Sequence, residues 1–136
     1  MIMLTLEPHL TLLATRAAGV YRLDEPVTYS DGVIEVVVPA GFITDLASIP
    51  RWLPGGLSRN TVQPAAIVHD YLYAGPSFPG RPFPEALYRM KRAAADMIFY
   101  RAMLAAGTRH WRARLYYRSV RLFGWRGWQR DGMHGG

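Results

Sequence analysis

The run from Ala65 to Tyr73 constrains this chain more than any other feature. Every residue in it is apolar or aromatic except His69 and Asp70, which stand side by side in its middle. A helix that is apolar on all sides belongs inside a core. A buried charge persists there only when it is paired or bound to a metal. His69 and Asp70 therefore need partners, and the identity of those partners points to the function.

Turning the run at about 100° per residue puts His69, Tyr73 and Ala66 on one face and Asp70 about 100° away. One of the two polar residues can thus act on a substrate while its neighbour holds a metal. The plainer alternative is that both hydrogen-bond to nearby segments and lock the core.

Around this helix the chain divides into strands and then helices. Residues 1–40 read as short apolar runs broken by Pro8, Gly19, Asp24 to Pro26 and Asp31-Gly32, the last a hairpin signal between Val27-Thr28-Tyr29 and Val33-Ile34. Ile34 to Val38 is apolar on both strand faces, which predicts a strand covered on both sides. Residues 41–61 read as a loop. Residues 62–124 read as three helices: one opening near Pro64 and ended by Gly75-Pro76, one from Glu85 to Ala106 closed by Gly107, and one capped by Thr108 and stopped by Gly124. Residues 125–136 read as an irregular tail with a frayed end. The expectation is one α+β domain over residues 1–136, antiparallel strands and hairpins followed by a bundle of about three helices.

Composition narrows the chemistry. Half of the 136 residues are hydrophobic, which excludes a disordered chain. There is no cysteine, so any metal would be held by oxygen and imidazole. No apolar run is long enough to span a membrane, and the N-terminus lacks the basic start of a secretory signal. The net charge of +6 rests on fifteen arginines and one lysine. Arginine favours carboxylates, phosphates and ring faces, although a codon bias toward arginine explains the count equally well.

Two further segments converge on His69. Gly41 to Arg51 offers the Asp45 carboxylate and the Thr44 and Ser48 hydroxyls, the hard oxygen donors that Ca²⁺ or Mg²⁺ prefers; a turn-closing or capping role for Asp45 or Ser48 is the alternative. Asp96 lies in the second helix opposite its main apolar stripe of Leu87, Met90, Ala94, Met97, Ile98 and Leu104. It belongs either to a solvated ion-pair face with Arg89 and Arg92 or, beside Phe99 and Met103, to a second buried face where it meets His69. Between Thr108 and Arg130, arginines alternate with Trp111, Tyr116, Tyr117, Phe123, Trp125 and Trp128. This interleaving suits an anionic membrane interface or single-stranded nucleic acid. The plainer reading makes Trp111, Leu115 and Leu122 core and the arginines its solvated back. Nothing matches a known nucleic-acid motif.

The order His69-Asp70-x-x-Tyr73 on one helix, with Asp96 on the next, resembles the helical hairpin of secreted-type phospholipase A₂. That resemblance implies His69 as general base, Tyr73 and Asp96 as its orienting pair, Asp70 as a Ca²⁺ ligand and Asp45 as a further one. The family's glycine-rich calcium loop and its disulfides have no counterpart here. A broader resemblance runs through Val38-Pro39-Ala40-Gly41-Phe42-Ile43-Thr44-Asp45, Ala66-Ile67-Val68-His69-Asp70-Tyr71-Leu72-Tyr73 and Ala95-Asp96-x-x-Phe99. These segments look like an uncharacterised family of small proteins encoded by tailed phages and prophages. It implies a location in the infected bacterial cytoplasm or the virion, and no particular reaction. Three functions follow as expectations: a Ca²⁺-dependent hydrolase of phospholipid or another ester, a non-catalytic virion or assembly component working with other phage proteins, or an arginine-rich module binding nucleic acid or a host protein.

Overall fold

The computed structural model describes residues 5–6, 12–16, 20–44, 62–77 and 83–128. Among these residues six short strands come first: β1 (Thr5–Leu6), β2 (Leu12–Ala14), β3 (Tyr21–Leu23), β4 (Val27–Ser30), β5 (Glu35–Val38) and β6 (Ile43–Thr44). They form two antiparallel three-stranded sheets, in the orders β1-β4-β5 and β2-β3-β6. Three helices follow: α1 (Gln63–Ala74), α2 (Arg92–Ala105) and α3 (His110–Phe123). The α+β architecture matches the expectation.

The β4–β5 hairpin is built by Asp31. Its Oδ1 accepts the backbone N–H groups of Val33 (2.9 Å) and Ile34 (2.8 Å), and Gly32 adopts φ 83°, a conformation that favours glycine. The Tyr29 hydroxyl donates to Asp31 Oδ2 at 2.9 Å. The second strand resumes at Glu35, leaving Val33 in the turn and 83 % exposed. Along β5, Val36 and Val38 are buried while Val37 is exposed. This strand is covered on one face, not both, because α1 packs on one side and nothing described covers the other. Part of the predicted 41–61 loop is also strand, since Ile43 and Thr44 pair with Arg22 and Tyr21.

Helix α1 lies between the hairpin and α2, with β4 and β5 on one side and α2 on the other. That placement explains its all-round apolar sequence: residues Pro64 to His69 and Tyr71 to Tyr73 are buried. Full burial of a side chain such as Ile67 or Leu72 stabilises by about 1.5–3 kcal/mol. Gly75 ends the helix in a positive-φ conformation.

The second helix departs from its predicted start. Glu85–Leu87 forms a separate 3₁₀ turn, and α2 begins at Arg92. Its end is a Schellman arrangement: Gly107, at φ 100°, donates to Leu104 and Thr108 N–H donates to Met103. Thr108 does not cap α3: the N-cap is the next residue, Arg109, which makes no side-chain capping bond, and the Thr108 hydroxyl has no partner among the described residues. The predicted irregular tail begins as a 3₁₀ turn, Gly124–Arg126, and Trp128 is buried. The expected frayed end lies outside the described residues. Among the described residues, no helix is long and apolar enough to cross a membrane.

Candidate functional site

The buried face of α2 is Arg92, Ala95, Asp96, Phe99, Ala102 and Met103, with Ile98 at its border. The predicted stripe is thus displaced: Met97 is exposed and Ala94 faces solvent. Asp96 points at α1 because Ala95, Phe99 and Met103 supply the apolar surface that packs there. The second of the two readings of this helix holds.

Asp96 is completely buried and its carboxylate is saturated. Oδ1 lies 2.7 Å from His69 Nε2 and accepts the Tyr73 hydroxyl at 2.5 Å. Oδ2 accepts Arg121 Nη1 at 2.8 Å and Arg92 Nη1 at 3.3 Å. Arg92 also donates to the backbone carbonyls of Val120 (2.9 Å) and Arg121 (3.3 Å), so one carboxylate ties together all three helices. Burial by itself would raise the Asp96 carboxyl. The His69 hydrogen bond, the ring's charge when protonated, and the Tyr73 and Arg121 hydrogen bonds outweigh it and hold the group below its ordinary value of 3.8. Burial, reinforced by the Asp96 charge, pushes the Tyr73 phenol well above its usual range and keeps it a donor.

This depression has a stability consequence. The unfolded chain takes up the Asp96 proton before the folded chain does, so the contribution is complete above about pH 4 and is lost as pH falls below it. Urea midpoints measured through that range should drop more steeply for the native protein than for Asp96→Asn. Asp31, also held below its ordinary value by its backbone and Tyr29 donors despite burial, is present in both and cancels.

His69 is fully buried, sandwiched by Tyr73 (ring centroids 4.1 Å) and Phe99 (4.7 Å). An ionised Asp96 can only accept, so the shared proton belongs to His69 Nε2, and in the neutral ring the lone pair is then on Nδ1. Nδ1 has no hydrogen-bond partner among the described residues. Asp70 Oδ1, 4.0 Å away, is too distant to bond to it, and the Asp70 side chain is 13 % exposed. The other Asp70 oxygen accepts the Thr44 hydroxyl at 2.5 Å, which joins β6 to α1.

The structure therefore brings His69, Tyr73 and Asp96 into direct contact and sets Asp70 beside them with Thr44. Asp45 lies outside the described residues. Among the described residues no group of three His, Cys, Asp or Glu side chains could share a metal. Asp70 and Thr44 offer too few oxygens by themselves for Ca²⁺, which takes six to eight. Arg121 is the site residue that sequence reasoning missed, and Arg92, expected beside Asp96 on a solvated face, meets it inside the core. The spacing of Arg92, one helical turn before Asp96, gave the pairing; nothing local marks Arg121.

Gly124 completes the enclosure. A Cβ there would lie 2.5 Å from the Tyr73 hydroxyl oxygen and 3.3 Å from two ring carbons. The Tyr73 ring cannot easily retreat, being bonded to Asp96 and packed edge-on against Trp128 at 5.1 Å. Gly124 has φ −66°, so the need for glycine is spatial rather than conformational. Gly124→Ala is expected to destabilise by about 1–3 kcal/mol through overpacking, read as a lowered urea midpoint.

An α+β protein with a saturated carboxylate holding a buried histidine is the class that this geometry defines. Residues 21–120 match the model of a family described as a protein of unknown function, DUF1353, and the chain belongs to that family. No curated protein and no solved structure matches it.

Proposed function

We propose that this protein is an ester hydrolase in which His69 activates water. The observation that carries the reading is the asymmetry of the His69 ring. Nε2 is anchored to a carboxylate whose other bonding positions are filled, while Nδ1 is buried without a partner among the described residues. A histidine serving only to lock a core gains most when both nitrogens are satisfied, because an orphaned buried polar atom is costly.

In this reading Nδ1 takes a proton from water as the oxygen attacks the ester carbonyl. Asp96 holds the tautomer and stabilises the imidazolium, and the proton passes on to the departing alkoxide. Water reaches Nδ1 along Asp70, the partly exposed neighbour of that nitrogen. The resemblance to secreted-type phospholipase A₂ supports the same roles for His69, Asp96 and Tyr73 and makes phospholipid the first substrate class to try. It also makes Asp70, with Asp45, the position for Ca²⁺.

One observation favours a second reading, a non-catalytic phage virion or assembly component. His69 is wholly enclosed, and Arg92 spends two bonds on α3 carbonyls, as an interhelical lock would. The test is hydrolysis of phospholipid and short-chain ester substrates by native protein and His69→Ala, each with added Ca²⁺ and with a chelator. Turnover lost in a folded variant supports the hydrolase. Turnover that survives in the folded variant, or native protein inert in every condition, overturns it.

A further inference from the structure

The third helix carries two apolar faces, and among the described residues only one of them is packed. Ala113, Tyr116 and Val120 are buried against the rest of the protein. Trp111, Leu115 and Leu122, core on the plainer of the two readings of this segment, are 53 %, 38 % and 67 % exposed. At about 100° per residue these three fall within about 40° of one another, on the side away from the buried face. The core needs only the small and aromatic face, because Arg92 and Arg121 already bind α3 to α2 through Asp96.

We propose that this outward face of α3, continued by Trp125, docks on an anionic lipid bilayer. Trp125 is 59 % exposed, with the Arg126 guanidinium 5.3 Å above its ring. Arg114 and Arg118 are exposed on the flank of the apolar stripe. No carboxylate occurs between Asp96 and Asp131 to offset these arginines. A tryptophan- and leucine-bearing stripe edged by arginine is the pattern of a helix lying in the headgroup plane. The apolar groups enter the acyl boundary while the guanidinium groups bind lipid phosphates.

The charge pattern decides against the other occupants. A second copy meeting the same face would set Arg114 and Arg118 against their own counterparts. Nucleic acid would use the arginines and tryptophans for phosphates and base stacking but would leave Leu115 and Leu122 in water. The inference does not depend on His69 having any catalytic role.

Co-sedimentation with vesicles tests it. The full protein is mixed with phosphatidylglycerol-containing vesicles and, separately, with pure phosphatidylcholine vesicles. Binding to the former, weak binding to the latter, weakening with added salt and a blue shift of tryptophan emission are expected. Trp111→Ser/Leu122→Gln and Arg114→Gln/Arg118→Gln should each lower the apparent affinity by about tenfold or more. These side chains are exposed, so the fold should be retained, as circular dichroism would verify. Absence of vesicle binding, or unchanged binding by both folded variants, overturns the proposal. So does a dimer in sedimentation velocity that Trp111→Ser/Leu122→Gln dissociates, or single-stranded DNA displacing bound vesicles.

Discussion

Asp96→Ala is expected to lower folding stability by about 3–5 kcal/mol, the cost of removing one partner from a buried charge network. The carboxylate is the common acceptor for His69, Tyr73, Arg92 and Arg121. Its loss does not affect the four donors equally. Arg121 is partly exposed, with 29 % of its side chain accessible, and can turn to water. Arg92 is nearly buried and would keep its charge inside the protein with neutral partners, the Val120 and Arg121 carbonyls and, at 3.5 Å, the Tyr73 hydroxyl. Tyr73, confined by Gly124 and Trp128, would lose its acceptor without gaining room to find another. Urea unfolding should therefore show a large fall in midpoint at an unchanged slope. Asp96→Ala/Arg92→Met, which removes the stranded charge as well, should recover part of the loss. A loss below about 1 kcal/mol in the single variant would show that the network does not hold the helices together.

The second large effect is on turnover. His69→Ala is expected to reduce the rate by about 10²–10⁴, the usual contribution of a positioned general base. The variant should fold, since Asp96 keeps Tyr73 and both arginines as donors. It should nonetheless be less stable, because a ring packed between Tyr73 and Phe99 is gone. Asp96→Asn separates positioning from chemistry. An asparagine at this site can present either its amide or its carbonyl to Nε2, so the tautomer is no longer held and the Nδ1 lone pair is no longer guaranteed. A lowered rate with a shifted pH profile, and a changed His69 tautomer in nitrogen NMR, would mark Asp96 as a positioning residue. A native rate in folded His69→Ala would remove the imidazole from the reaction.

The class of fold and the heart of the site were legible in the chain because each rests on local patterning. Asp31-Gly32 specifies its hairpin through a side-chain turn that spans only a few residues. The run from Ala65 to Tyr73 could only be a core helix, and a 3.6-residue repeat puts His69 and Tyr73 on one face. Gly75 and Gly107 mark helix ends through the backbone conformations they allow. The misjudged details share a cause. Val37, Trp111, Leu115 and Leu122 are apolar and were read as covered, but whether an apolar face is covered depends on what packs there. Thr108 had the right chemistry for a cap but stands one residue before the N-cap position, because the closing turn of α2 holds its backbone and α3 starts only after Arg109.

What the sequence by itself determined is the inventory: an order of strands followed by helices, and a first helix that buries a histidine with a carboxylate beside it. That much follows from periodicity and from the cost of burying charge. Which carboxylate meets His69, that Arg92 and Arg121 turn inward to saturate it, and that one nitrogen of the ring has no partner among the described residues were decided by the tertiary structure. Those outcomes depend on how α1, α2 and α3 approach one another, and residues 23 to 29 positions apart in the chain carry no local signal of the distance between them.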